Sequence, residues 1–248
     1  MKANPMKANP WISAMLVAAA CAGCGHRKAS APVLQAKAAG TAIVVASGDK
    51  QLGSPGSQLP QPLVLQVNDD QGNTVTGARV QISGPRGVVF DPAQVLTDDN
   101  GQATFKVTLG GISGRYELTA SSQDAHGKTF TLTVAEFAAG YQQEVGYEVN
   151  QKYCSRCHNP DSTTEQVSNY DNLAVKPHSF SNGEVYNKFS DADLATVISH
   201  GGPAMNRSAL MPPYGWTLDK AEMQAVIAYI RLVSDPPYMV PGVVYGKH

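Results

Sequence analysis

The chain of 248 residues is poor in cysteine and in charge. It has four cysteines, 16% of its residues are charged, and its formal net charge is −1. A nearly neutral chain with scattered lysines and acids offers no overall field for nucleic acid, so we expect no nucleic-acid partner. After the N-terminus, no run approaches the ~18 apolar residues that a membrane-spanning helix needs. The length permits two compact domains.

The N-terminus is typical of an export signal, because Lys2 and Lys7 precede a short apolar stretch at positions 11–20. The stretch runs into Ala22-Gly23-Cys24, which resembles the lipobox of bacterial lipoproteins. The resemblance implies a lipoprotein signal peptide at 1–23 and lipidation of Cys24. The family usually has Leu where this chain has Cys21, which leaves Cys21 as the alternative lipidated residue. Cleavage without any lipid is the other interpretation.

This signal indicates a protein of the bacterial cell envelope, held to a membrane by a lipid anchor. It would face the periplasm or sit at the outer membrane. Residues 24–40 are polar and rich in alanine, and they are predicted to form a flexible tether.

Residues 41–135 show the alternation of an all-β domain. Leu63, Leu65 and Val67 alternate with other residues, and the same period of two recurs around Phe105, Tyr116 and in 130–134. Turn signals such as 69–73 and 98–101 separate these runs. About seven short strands in some ninety residues predict a two-sheet β-sandwich.

Three segments of this region, 62–67, 97–103 and 114–120, resemble the bacterial Ig-like domains of invasin-type surface proteins. The resemblance implies an Ig-like sandwich and a location outside the cytoplasm. It implies no ligand. By fold analogy the domain is interpreted as a spacer or as a docking surface for another envelope protein. An adhesion domain with the rest of the chain as its passenger is a further hypothesis.

The pentapeptide Cys154-Ser155-Arg156-Cys157-His158 is the attachment signature of one covalently bound haem c. Cys154 and Cys157 share a helix face and can form two thioethers, and His158 can bind iron as the proximal ligand. The other two cysteines belong to the lipobox, so none remains for a disulfide. A zinc site would need further Cys or His ligands at finger spacing, and a thioredoxin-like redox pair would need a βαβ setting.

Residues 139–237 are predicted to be all-α, with a tail at 238–248. Val145 and Val149 recur at helical spacing towards the haem motif. A second helix is expected from Ser190, with Asp193 as the partner of a capping box. A third helix is expected after Thr217, with an apolar stripe at positions 223, 226, 227 and 230.

The candidates for the second axial ligand are Met211 and Met205. Met211 precedes two prolines, which restrict the backbone and can hold a thioether over the iron without regular secondary structure. Met205 lacks such a frame and is the alternative. Met223, His178 and His200 also lie in this domain. Met223 fits core packing better, and His200 fits the last turn of a helix.

Residues 139–237 resemble class I cytochromes c. The likeness rests on the Cys154–His158 motif, on Met211-Pro212-Pro213-Tyr214, and on Ala228-Tyr229-Ile230-Arg231 in the last helix. Gly146 matches the glycine at which the family's first and last helices cross. The chain departs from the family at Asn150, where an aromatic residue is common. The resemblance implies an all-α cytochrome c fold with His158 and Met211 on the iron.

An iron closed by two protein ligands suits electron transfer and leaves no position for a substrate, so the sequence predicts an electron carrier and not an enzyme. The redox donor and acceptor are unidentified partners. Lys152, Arg156, Lys188 and Arg207 would form a basic rim near the haem edge. Two alternatives are a haem-based sensor of small ligands and a cytochrome subunit docked through its Ig-like domain to a larger oxidoreductase.

Overall fold

The structure is a computed structural model that describes residues 36–160 and 167–242. The predicted signal peptide, Cys21 and Cys24 lie outside these ranges. The strands are β1 Ala42–Ser47, β2 Leu52–Gly53, β3 Leu63–Asn68, β4 Arg79–Ser83, β5 Val89–Asp91, β6 Gln94–Leu96, β7 Gln102–Thr108, β8 Gly114–Gln123 and β9 Thr129–Ala138. The α-helices are α1 Tyr141–Val149, α2 Ser155–His158, α3 Gly183–Tyr186, α4 Asp191–His200 and α5 Lys220–Val233.

The strands form a sandwich of two sheets, ordered β1-β3-β7-β5 and β2-β9-β8-β4-β6. Neighbouring strands are antiparallel except β2 and β9, which run parallel. Leu63, Leu65, Val67 and Phe105 are fully buried between the sheets, so the predicted alternation is confirmed. The described residues contain nine strands where about seven were expected. Three of them, β2, β5 and β6, have only two or three residues, which is too short to show a period of two.

Aspartates set the predicted turns of the sandwich. Asp69 Oδ1 accepts hydrogen bonds from the backbone nitrogens of Gln71 and Asn73, at 2.9 and 2.8 Å. Hydrogen bonds from Asn73 lower the pKa of Asp69 because they favour the charged carboxylate. Asp98 repeats the arrangement. Gly101 follows it with a φ of +73°, which favours glycine.

The end of the predicted tether lies against the sandwich. Lys37 N donates to Gly77 O at 2.8 Å, and Ala38 forms an isolated bridge with Ala78. Gly40 is buried beside Val67 and has no room for a Cβ. Lys37 and Ala38 are therefore hydrogen-bonded to the sandwich and Gly40 packs against it, whereas 24–35 lie outside the described residues.

Only two residues separate the last strand from the first helix, since β9 ends at Ala138 and α1 begins at Tyr141. Ala139 is fully buried, and its N–H donates to Gly53 O at 2.9 Å. On the same side, Ser54 Oγ donates to Glu144 Oε1 at 2.6 Å. The sandwich and the helical region are thus joined by hydrogen bonds as well as by the chain.

The helical region follows the predicted pattern with different boundaries. α4 begins after Ser190, which forms the expected capping box with Asp193. α5 begins at Lys220 and not directly after Thr217, because Asp219 forms a second capping box with Glu222. The α5 stripe is buried against the other helices, with Val226 and Ile230 each 1% exposed. This packing stabilises the frame around the site described below.

α1 and α5 cross at Gly146. A Cβ there would collide with the backbone carbonyl of Ala225, so only glycine permits this approach. Tyr147 packs on Tyr229 beside the crossing, with ring centroids 5.7 Å apart and planes at 58°. Asn150 is buried without being part of this aromatic pair.

The described part of the helical region also contains a short β contact, an isolated bridge between Asn182 and Asp235. Over 36–160 and 167–242, no helix has both the length and the apolar character required to cross a bilayer.

Candidate functional site

A cavity of about 660 Å³ lies in the helical region. Cys154, Cys157 and His158 line it, as do Met205 and Met211. Side chains separated by more than fifty positions therefore meet at one site. The volume lies within the ~300–1,000 Å³ typical of cofactor and ligand sites. Most of the wall is apolar, with Leu194, Val226 and Ile230 contributed by α4 and α5.

The two cysteines lie where the first helix changes its winding. α1 continues into one π-helical turn, Asn150–Cys154, which is followed directly by α2. π-helical turns inside helices are frequent at functional sites. Burial raises the pKa of Cys154 to about 12, so its thiol stays protonated at neutral pH. A reactive redox cysteine requires a lowered thiol pKa, and burial of Cys154 has the opposite effect.

His158 is held by its Nδ1. This nitrogen lies 2.9 Å from the backbone carbonyl of His178 and 3.2 Å from Tyr186 Oη. A carbonyl can only accept, so Nδ1 carries the proton and Nε2 keeps a free lone pair. Burial lowers the pKa of His158, which favours the neutral imidazole that metal binding needs. Phe180 stacks on the ring with centroids 4.7 Å apart.

Met211 lies in a loop that hydrogen bonds fix on both sides. Gly202 N donates to Met211 O at 3.1 Å, and Tyr214 N donates to Ile198 O at 2.9 Å. Tyr214 Oη reaches across to the carbonyl of Tyr153, next to the first cysteine, at 3.1 Å. The rigid loop inferred from the two prolines therefore has hydrogen bonds as further support.

Met211 and Met205 differ in their packing. Met211 packs against the hydrophobic core of the helical region, whereas Met205 ends a short 3₁₀ helix, Gly202–Met205, and is not part of that core cluster. Both line the cavity. Met223 and His200 are not in the cavity wall. Met223 is buried in the core, and the ring of His200 contacts Thr196 O.

The charged side chains of the cavity wall are all cationic. Lys176, Lys188 and Arg207 line it, and no Asp or Glu is found among the described lining residues. Of the predicted basic rim, Lys188 and Arg207 are at the cavity, while Lys152 and Arg156 are not in its wall. Lys152 instead lies over the Tyr153 ring, 4.9 Å from its centroid. This wall favours anionic groups near the cavity.

Sequence reasoning missed several residues of the site. The acceptor for His158 is a backbone carbonyl, which leaves no signature in the sequence. Tyr186 donates to the same carbonyl at 2.9 Å and lies on α3, a helix of four residues that is too short to show a period. Phe180 and Lys176 lie in loops. In the sequence, only the neighbouring pair Pro177-His178 could have drawn attention to this loop.

The comparison with family models decides the class of this domain. Residues 142–230 match the family described as cytochrome c oxidase, cbb3-type, subunit III. This part of the chain is a cytochrome c domain. The match includes the Cys154–His158 motif and Met211, so the cytochrome domain contains the cavity residues that the sequence singled out. Two thiols, a neutral imidazole, a thioether and apolar walls are a donor set that fits a covalently attached haem.

Residues 53–134 match the family model described as SMCHD1 Ig-like domain 6. Among solved structures, the chain is similar to the D00-D0 domain of intimin, with 14% sequence identity and a TM-score of 0.31. The similarity covers 44% of this chain and 50% of that chain. It is similar to invasin, a bacterial integrin-binding protein, with 18% identity over 42% of this chain and 21% of that one, at a TM-score of 0.30.

A conjugative transposon lipoprotein from Bacteroides eggerthii is similar at 10% identity over 38% of this chain and 93% of that one, with a TM-score of 0.28. The chain thus spans half or less of the intimin and invasin chains. No curated protein sequence matches the chain significantly.

Proposed function

We propose that this protein is an electron carrier of the bacterial cell envelope that holds one haem c. Cys154 and Cys157 would attach the haem through thioethers, with His158 and Met211 as the axial ligands. One observation carries the proposal: these four side chains line a single, mostly apolar cavity. A haem held there supplies a reversible one-electron Fe(III)/Fe(II) couple.

The protein's own part is to orient and enclose the cofactor. The hydrogen bond from His158 Nδ1 fixes the imidazole and its tautomer. The hydrogen-bonded loop would keep the thioether of Met211 in place, and the mostly apolar wall would limit water at the haem. A site that does not rearrange between oxidation states suits electron transfer. The unidentified donor and acceptor are expected to meet the protein beside Lys176, Lys188 and Arg207.

The first test is whether the haem is there and how it is held. Purified protein from a host with a cytochrome c maturation system should carry one haem that resists acid–acetone extraction. Pyridine haemochrome spectra should show both thioethers. The double variant Cys154→Ala/Cys157→Ala should lose all covalent haem, with Cys24 unchanged in both proteins. A wild-type protein whose mass shows no macrocycle would contradict the proposal.

A second candidate is a cytochrome subunit of a larger oxidoreductase. The matched family model describes a subunit of an oxidase, and this observation favours the candidate. In that case the Ig-like domain would dock the chain to its complex. Gentle solubilisation followed by native gel electrophoresis with haem staining distinguishes the two. A free carrier migrates alone, and a subunit migrates with a larger assembly.

We also propose the lipid anchor at Cys24, with Cys21 as the alternative, and with it the envelope location. The proposal rests on the lipobox-like segment Ala22-Gly23-Cys24. Mass spectrometry of the mature N-terminal peptide should find a diacylglyceryl group on Cys24 and no residue before it. Cys24→Ser should release the haem protein from the membrane fraction, and Cys21→Ser should leave it there. An unmodified N-terminus cut elsewhere would contradict the anchor.

A further inference from the structure

Arg115 reaches from the sandwich to the end of the last helix. It lies on β8, and its Nη1 donates to the carbonyl of Ser234 at 3.2 Å while its Nη2 donates to Asp235 Oδ1 at 3.3 Å. Its side chain is only 17% exposed. On its own domain the guanidinium lies 5.8 Å from the Phe137 ring centroid, and Nε is 3.4 Å from Glu117 Oε1. A planar fork with two acceptors fixes position more firmly than a single contact does.

The residues that Arg115 holds are tied in turn to the loop before α3. Asp235 N donates to Ser181 O at 2.8 Å, and Gly183 N donates to Asp235 O at 2.9 Å. Gly183 has no space for a Cβ, because the carbonyl of Pro236 lies against it. Ser234 is itself fully buried. The end of α5 and residues 181–183 are therefore held to each other by hydrogen bonds and close packing.

This loop carries the carbonyl that holds the axial imidazole. His178 O accepts from His158 Nδ1. In the residues that follow, Asn182 N donates to Ser179 O at 2.9 Å. Contacts thus run without a break from Arg115 through Asp235 and residues 181–183 to the His178 carbonyl. Each link is a hydrogen bond or lies a few bonds along the chain from the next.

We propose that Arg115 of the Ig-like domain is a positioning residue for His158 and thereby sets the redox balance of the cytochrome domain. The inference rests on the proposed function, since it requires His158 to bind haem iron. A firm hydrogen bond at Nδ1 makes the imidazole a stronger donor and favours the ferric state. Loosening the loop that carries the His178 carbonyl weakens the hydrogen bond at His158 Nδ1 and favours the ferrous state. The Ig-like domain then contributes a residue that tunes the redox centre, in addition to acting as a spacer.

The test uses the full-length holoprotein with Arg115→Gln, Arg115→Lys and Asp235→Asn. Arg79→Gln is the matched control, because Arg79 Nη2 contacts Gln123 within the sandwich. At an ambient potential equal to the wild-type midpoint, Arg115→Gln should lower the ferric-to-ferrous ratio at least threefold. Lysine keeps the positive charge but cannot make both hydrogen bonds of the guanidinium, so Arg115→Lys should change the ferric-to-ferrous ratio by a smaller factor. The hyperfine-shifted imidazole protons of His158 should move in the same order.

Asp235→Asn keeps every backbone hydrogen bond and should lower the ferric-to-ferrous ratio in the same direction by a smaller factor. This variant tests the inference even if Arg115→Gln folds poorly. Identical potentials and imidazole resonances in Arg115→Gln and wild type overturn the inference, even if the variant melts at a lower temperature. An equal shift in Arg79→Gln also overturns it. Absence of covalent haem from the wild type refutes the proposed function instead, so the two failures are distinguishable.

Discussion

Replacing Met211 with alanine is expected to lower the midpoint potential on the order of 0.1–0.2 V, within the ~0.8 V that axial ligands span. A thioether stabilises ferrous iron, so its loss favours the ferric state. The weak red absorption band of Met–Fe(III) bonding should disappear. Carbon monoxide should bind the reduced variant rapidly, because nothing then closes that side of the cavity. Potentiometric titration and optical spectra measure all three.

Met205→Ala is the matched control, since both methionines line the cavity. It should keep the red band and a potential close to that of the wild type. Met205 lies on the 3₁₀ helix, whereas two hydrogen bonds fix the Met211 loop, from Gly202 N to Met211 O and from Tyr214 N to Ile198 O. The reverse result, with the band lost only in Met205→Ala, would assign the ligand to Met205. Rapid carbon monoxide binding by the wild type would instead favour a ligand sensor.

The fold was predictable where local chemistry is strong. A period of two identified the long strands, and Ser190 with Asp193 placed the start of α4 to the residue, because a capping box satisfies specific backbone donors. β2 was not predictable, because two residues carry no period and its parallel pairing with β9 is a long-range contact. α5 began later than expected because Asp219, and not Thr217, caps it.

At the candidate site, the sequence indicated the side chains and not their supports. Cys154, Cys157 and His158 are marked by fixed spacing, and Met211 by its prolines. The π-helical turn before Cys154 has no such mark. The aromatic contact expected near position 150 comes from Tyr147, which lies beside Gly146 and packs on Tyr229. Backbone acceptors such as His178 O follow only from the tertiary fold.

A buried titratable residue lies near the junction between the two domains. Glu136 lies on β9 and is fully buried in the sandwich, two residues before the strand ends. Its Oε2 accepts from Gln51 N at 2.7 Å, while Oε1 has no hydrogen-bond partner among the described residues. Burial raises the pKa of Glu136 to about 8, and the negative charge of Asp49 adds to the rise. Near neutral pH the folded protein therefore keeps this carboxyl protonated.

Because the folded state holds this proton to a higher pH than the unfolded state does, the sandwich should become less stable as pH rises. Below pH 4.5, the ordinary pKa, both folded and unfolded states hold the proton. Between that value and about 8, only the folded state holds it, so the free energy of unfolding should fall with pH. At ~1.36 kcal/mol per pKa unit the total loss has an upper limit of about 5 kcal/mol, and it is complete above the folded-state pKa.

Glu136→Gln is expected to remove this dependence, because an amide keeps an acceptor for Gln51 N and cannot ionise. The difference in unfolding free energy between variant and wild type should therefore grow from pH 5 to pH 9 in favour of the variant. Urea denaturation followed by circular dichroism at each pH measures it, and the difference cancels contributions from the haem domain. Asp70→Asn, an exposed change in the turn after β3, should leave the wild-type slope unchanged. Parallel curves for wild type and Glu136→Gln would show that the buried carboxyl is ionised in the folded protein.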